Sequence, residues 1–307
     1  MKKQAIFIMG PTASGKTALA IQLAQRLPVD IISVDSAMVY RGMDIGTGKP
    51  TAAELALAPH QLINICDPKE PYSAAQFCVD AELAMHNSWQ RDRIPLLVGG
   101  TMLYFKALQF GMAELPPADP ELRMQLSTEA QLLGWPAMHA KLAQLDPITA
   151  QRLNVNDAQR VQRALELNIL MGKPLSSSFA EQVTKKIDYK LHSFALLPPD
   201  RALLHELIAK RFMHMLDQGL VAEVQTLYDR GDLNRQLPSI RSVGYRQVWS
   251  YLENEIDHPT MCAQAIAATR QLAKRQYTWL RSWPEIINID NSHNIALDTI
   301  IESVLDF

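Results

Sequence analysis

Eight residues near the start constrain this chain more than any others: Gly10, Pro11, Thr12, Ala13, Ser14, Gly15, Lys16 and Thr17. An apolar run from Ala5 to Met9 precedes them, and Leu19, Leu23 and Leu27 follow at helical spacing. Strand, glycine-containing loop and helix is the setting in which G-x-x-x-x-G-K-[ST] cradles phosphate. The loop's backbone N–H groups converge on an anion, and the helix adds the positive end of its dipole. Lys16 brings a point charge to the outer phosphate, and the Thr17 hydroxyl is placed to ligate Mg²⁺. The pattern predicts a bound diphosphate or triphosphate.

The rest of the chain reads as a parallel-sheet protein with one insertion. Val29–Val34 and Arg93–Val98 are apolar runs of the kind buried on both faces of a sheet. His60 to Asp67 reads as a short strand, and Ser73–Trp89 as a serine-capped helix. From Leu115 the composition shifts to prolines and helical patterns, until His192–Leu197 returns as a core strand. The fold class expected is α/β: a P-loop NTPase-like parallel sheet with helices on both faces, plus an all-helical insertion. The core would comprise 1–114 and 192–307, and the insertion 115–191. Later helices are expected at Arg201–Gln218, Leu220–Arg230, Tyr245–Glu253 and Thr260–Trp279, with a last strand at Ile286–Ile289.

The position after Val98 narrows the chemistry. A nucleotide-hydrolysing enzyme with this loop would carry an aspartate there to hold Mg²⁺; here the chain reads Gly99-Gly100-Thr101. No N-K-x-D guanine-reading string occurs. Asp35 ends the second strand, where ligands gather in open α/β sheets, although aspartate there also caps turns. The net charge of −2 gives no global sign of nucleic acid, yet a local basic face can carry binding. Three basic strings are candidates: Gln159-Arg160-Val161-Gln162-Arg163, Arg241-Ser242-Val243-Gly244-Tyr245-Arg246 and Lys274-Arg275-Gln276-Tyr277-Thr278-Trp279-Leu280-Arg281. Each alone also suits a solvated helix face; arginine interleaved with Tyr and Trp suits phosphate contact and base stacking. Three cysteines without a C-x-x-C pair fit a reducing, cytoplasmic setting. No run reaches membrane-spanning length.

Six segments together resemble the tRNA dimethylallyltransferase (tRNA isopentenyltransferase) family: GPTASGKT, DSAMVYRGMDIGTGKP, LLVGGTMLYFKAL, NDAQRVQRALE, LPSIRSVGYRQ and TRQLAKRQYTWLR. They run in order from Ala5 to about Trp283. One departure is Gly48, where many members of that family have alanine; no consequence is expected. The resemblance implies transfer of a dimethylallyl group from dimethylallyl diphosphate to N6 of adenosine 37, beside the anticodon. It implies Lys16 and Arg211 on the diphosphate, Asp35 as general base, and Thr101 bonded to the target adenine or nearby backbone. It further implies Mg²⁺ on Thr17, and an anticodon stem-loop held by Asp35-Ser36-Ala37-Met38, Thr101, Arg123 and the three basic strings. A cytoplasmic monomer without membrane association is expected. The rivals are an adenylate isopentenyltransferase acting on AMP or ADP, a nucleoside or shikimate-type kinase, and a non-catalytic RNA-binding module. The first has no need of the insertion or the late basic strings, the second leaves the SVGYR and KRQYTWLR segments unexplained, and the third predicts tRNA binding with no diphosphate release.

Overall fold

The computed structural model describes residues 3–113, 115–180, 187–290 and 293–305. It divides into two compact units, Met1–Gln109 with Ile187–Phe307, and Phe110–Lys186. In the first unit six strands form one sheet: β1 Gln4–Met9, β2 Val29–Val34, β3 His60–Gln61, β4 Ile94–Gly99, β5 Lys190–Leu197 and β6 Ile287–Asp290. Their spatial order is β3-β2-β4-β1-β5-β6, and every pair is parallel. Parallel strands need crossovers, and helices supply them on both faces. Ile6 and Ile8 join Leu19, Leu23 and Ile300 in one core. Phe7, pointing the other way along β1, packs against Phe105 with ring centroids 4.9 Å apart and planes tilted by 56°.

The run from His60 to Asp67 is almost all loop. Only His60 and Gln61 pair with β2, and Cys66 makes an isolated bridge to Tyr40. β5 starts earlier than its apolar stretch suggests, because Lys190 and Leu191 pair with Gln4 and Ala5. The late strand is Ile287–Asp290, and the long late helix is His258–Arg281, with the Asp257 side chain accepting from the Thr260 N–H.

Helices Leu220–Asp229, Tyr245–Leu252 and His258–Arg281 build a second core in the same unit, with Tyr40, Met43 and Phe212 inside it. This core seats the loop that follows β2. The second unit, Phe110–Lys186, lies earlier at both ends than the expected 115–191. The core's last helix before it, Met102–Phe110, ends sooner than the proline-rich stretch that marked the change in composition. Leu126, Met138, Leu142, Val161 and Leu165 form the second unit's own core.

Candidate active site

The cradle begins where β1 ends. A β-carbon at Gly10 would lie 2.6 Å from the Leu196 carbonyl oxygen on the neighbouring β5, so only glycine fits. Ala13 (φ 64°) and Gly15 (φ 90°) both adopt left-handed backbone, which curls the loop into the concavity of N–H groups that binds anions. Helix Lys16–Ala24 then opens directly onto it. The Lys16 ammonium donates to the Pro11 carbonyl at 2.6 Å and to Ser14 Oγ at 3.5 Å. Burial, and after it the nearby Arg211 guanidinium, bring Lys16 down to about 7 against the opposing pull of Asp35.

Asp35 stands at the tip of β2. Its Oδ1 accepts N–H bonds from Ala37 (2.8 Å) and Met38 (3.2 Å), a turn that orders 35–38. That geometry fixes the carboxylate and leaves Oδ2 outside the turn. Thr101 follows β4. Its Oγ1 accepts the Ser36 N–H at 3.0 Å and donates to Ser36 Oγ at 3.4 Å, tying the tips of β2 and β4 together. Arg211, on helix Arg201–Asp217, donates to the Thr47 carbonyl at 3.3 Å. Lys16, Asp35, Thr101 and Arg211 therefore line one cleft of about 1580 Å³ at the carboxyl ends of the strands.

Gly48 is not a neutral departure. It sits at φ +65°, and a β-carbon there would fall on Arg211 Nη2. Glycine takes this left-handed backbone without strain and leaves room for the end of the Arg211 side chain, which a β-carbon would displace.

The basic strings separate once folded. Arg241, Ser242, Val243 and Gly244 line the cleft, whereas Arg246 is exposed. Tyr245 is fully buried and donates to Glu223 at 2.5 Å. On the long helix, Arg275 and Trp279 line the cleft. Lys274, Thr278 and Arg281 are exposed, Leu280 is core, and Tyr277 packs against the Leu204–Ile208 cluster. Gln276 does something its neighbours do not: its Oε1 accepts the Thr12 N–H and its Nε2 donates to the Gly100 carbonyl, both at 2.9 Å. It clamps the cradle to the end of β4.

In the second unit, Arg123 and Arg163 both bond the fully buried Glu166, at 3.0 and 2.7 Å. Val161 is core, and Gln162 donates to the Arg123 carbonyl and to Ser127 Oγ. Gln159 and Arg160 are exposed; Arg160 keeps 73% of its side chain in solvent, 3.5 Å from Asp157. Burial alone would raise the Glu166 carboxyl, but the two guanidiniums hold it below the usual range. A depressed carboxyl contributes stability above its ordinary range and loses it as pH falls through the folded value. Glu166→Ala is expected to destabilise the second unit by removing the buried carboxylate that gathers Arg123, Arg163 and the Asp119 N–H, read as a lower Tm and faster amide exchange over 120–171. Arg160→Ala should leave the Tm unchanged, so Arg160 gives the clean test of an RNA contact.

Two features of the site escaped the sequence. Lys49 is buried against the Tyr40 carbonyl (2.5 Å), Asn64 Oδ1 (2.6 Å) and Asp44 Oδ1 (2.7 Å), and only its place in a glycine-rich, lysine-ending loop marks it. Glu223 had no local signal at all.

Family comparisons agree with this architecture. A model described as IPP transferase matches residues 38–283, and one described as isopentenyl transferase matches 3–63. A tRNA dimethylallyltransferase of Thioalkalivibrio sulfidiphilus (strain HL-EbGR7) is 59% identical over 93% of this chain and 89% of its own length. Among solved structures, the full-length tRNA isopentenylpyrophosphate transferase of Bacillus halodurans is 35% identical, with a TM-score of 0.70, covering 100% of this chain and 96% of its own. A eukaryotic dimethylallyltransferase acting on tRNA is 27% identical, with a TM-score of 0.77, over 94% of this chain and 74% of its own.

Proposed function

Because this chain belongs to the IPP transferase family and so transfers a dimethylallyl group to tRNA, we propose that the donor is dimethylallyl diphosphate and the acceptor atom N6 of adenosine 37. The observation that carries this reading is one cleft holding a phosphate cradle, a second cation and a carboxylate: Lys16, Arg211 and Asp35. Nothing but Gly99-Gly100-Thr101 stands at the tip of β4, where a hydrolase would keep its magnesium aspartate.

In the proposed reaction the N6 nitrogen bonds to C1 of the dimethylallyl group as the C1–O bond breaks. Diphosphate leaves with the bonding pair, and Asp35 accepts the N6 proton. Positive charge grows on carbon and negative charge on diphosphate, so electrostatic stabilisation dominates. Lys16, Arg211 and the N–H groups of the cradle meet that negative charge. The adenine must leave its stack to reach them. Thr101, tied to Ser36, would hold the 35–38 turn against the base, and the arginines lining the rim, Arg241 and Arg275, would contact RNA phosphates. Arg160 would add a contact from the second unit.

We also propose magnesium. Thr17 follows the cradle lysine and lines the cleft, and Mg²⁺ takes much of its shell from phosphate and water, so one hydroxyl beside a diphosphate suits it. When bound through Thr17 it would offset charge on the diphosphate. We further propose that the enzyme works as a cytoplasmic monomer. No described helix is long and apolar enough to cross a membrane.

The test is a comparison of acceptors and donors. Labelled dimethylallyl diphosphate should prenylate an unmodified anticodon stem-loop and leave AMP almost untouched, and ATP should act at most as a weak competitor. Comparable turnover on AMP, or ATP hydrolysis stimulated by a small acceptor, would overturn the assignment.

A further inference from the structure

The loop that seats Arg211 is itself held by one carboxylate that plays no part in the chemistry above. Glu223 lies in the first turn of helix Leu220–Asp229. Its Oε2 accepts the N–H groups of Asp44 (2.8 Å) and Ile45 (2.7 Å), and its Oε1 accepts that of Gly46 (3.0 Å) and the Tyr245 hydroxyl (2.5 Å). Three successive backbone donors aimed at one point make a tight curl that needs an anion at its centre. The curl has no slack: a β-carbon at Gly46 would lie 2.5 Å from the Tyr245 ring and 2.8 Å from Leu220. The next two residues of the same loop are Thr47, whose carbonyl takes the Arg211 guanidinium, and Gly48, over which Arg211 Nη2 lies. The loop also closes on itself through Gly48 N–H to the Ile45 carbonyl (2.9 Å) and Lys49 N–H to the Asp44 carbonyl (3.0 Å). Burial and the Glu223 charge push the Tyr245 phenol up, so it stays a donor to Glu223 throughout the physiological range.

We propose that Glu223 is a positioning residue for the donor diphosphate, acting through the 44–48 loop on Arg211. This rests on Arg211 being a diphosphate ligand, as assigned above. An amide cannot replace the carboxylate, because its NH₂ group would face an N–H donor.

The experiment is a double-mutant cycle in the full-length protein, read by KM for dimethylallyl diphosphate, by kcat at saturating tRNA, and by calorimetric binding of inorganic diphosphate. Glu223→Gln should raise KM and the diphosphate Kd by about tenfold and lower kcat as well, because Arg211 also meets the charge that grows on the leaving diphosphate, with tRNA affinity within about twofold. Tyr245→Phe should give a smaller change in the same direction. In an Arg211→Gln background, Glu223→Gln should add less than about twofold. A role confined to stability would instead lower Tm and leave the Kd of the folded protein unchanged, or multiply with Arg211→Gln; either result overturns the proposal. Should Glu223→Gln not fold, Tyr245→Phe, which keeps the carboxylate but removes one of its donors, runs the same cycle against Arg211→Gln and decides it by the same criterion. A wild-type protein that prenylates tRNA while the cycle is additive refutes this inference alone; one that fails to prenylate tRNA refutes the function on which it rests.

Discussion

Changing Asp35 to asparagine is expected to slow prenyl transfer by about 10²- to 10⁴-fold at saturating tRNA and donor. The substitution is chosen for what it keeps. Asn Oδ1 can still accept the Ala37 and Met38 N–H groups that order the turn, so the backbone at the tip of β2 should not move. What it removes is the second oxygen and its charge. Neutral N6 is a poor nucleophile, and without a proton acceptor it must form its bond to carbon unassisted. tRNA affinity should stay within a few-fold, and single-turnover transfer measured beside tRNA binding separates the two. Near-normal turnover would reduce Asp35 to a turn-forming residue, and the proposed mechanism would fail with it.

The second large effect belongs to Lys16. Lys16→Met should lower kcat/KM for dimethylallyl diphosphate by about 10²- to 10³-fold, comparable to removing a preorganised donor from a developing anion. The wild-type enzyme should also carry a pH signature. Lys16 ionises near 7 in this fold because burial and Arg211 disfavour its charge, whereas a solvated lysine ionises near ~10.4. From about 7 to about 10 the unfolded chain therefore binds one more proton at this site. Folding stability from Lys16 rises with pH across that window and is flat below it. Donor binding runs the other way. An anion favours the protonated lysine, so donor affinity is highest below about 7 and weakens by up to tenfold per pH unit above it. Titrating KM for dimethylallyl diphosphate from pH 6 to 9 checks this; Lys16→Met should remove the slope. A flat profile in the unmodified protein would mean that Lys16 is not the charge that holds the donor.

These two residues were also the most legible in the sequence, because their neighbours in the chain create their setting. The cradle is eight consecutive residues between a strand and a helix, and Asp35 follows directly from β2. Helix starts carried by side-chain caps were similarly local: Ser73, Asp119, Asp157 and Asp257 each accept an N–H three residues on. Even the reading of β4 as a buried strand ending in Gly99-Gly100-Thr101 needed only the run of apolar side chains.

The basic strings show where that reasoning stops. Gln276 stands among arginines and aromatics, and composition files it with them, but it is buried and bonded to Thr12 and Gly100, partners 264 and 176 positions away. Arg163 is within one helical turn of Glu166, so that pair could be suspected; the Arg123 side chain, 43 positions earlier, could not. Gly48 looked interchangeable with alanine until Arg211 was found lying over it.

The sequence by itself determined the parallel sheet, the phosphate cradle, the carboxylate beside it and the family, because each is written in contiguous residues whose periodicity, capping and turn chemistry act over a few positions. Only the tertiary structure decided which charges are available to a ligand and which are consumed holding the protein together. A buried carboxylate such as Glu166 must be paired whatever its surroundings in the chain, and the partners that satisfy it, like the loop that Glu223 gathers, are chosen by packing between helices that the sequence keeps far apart.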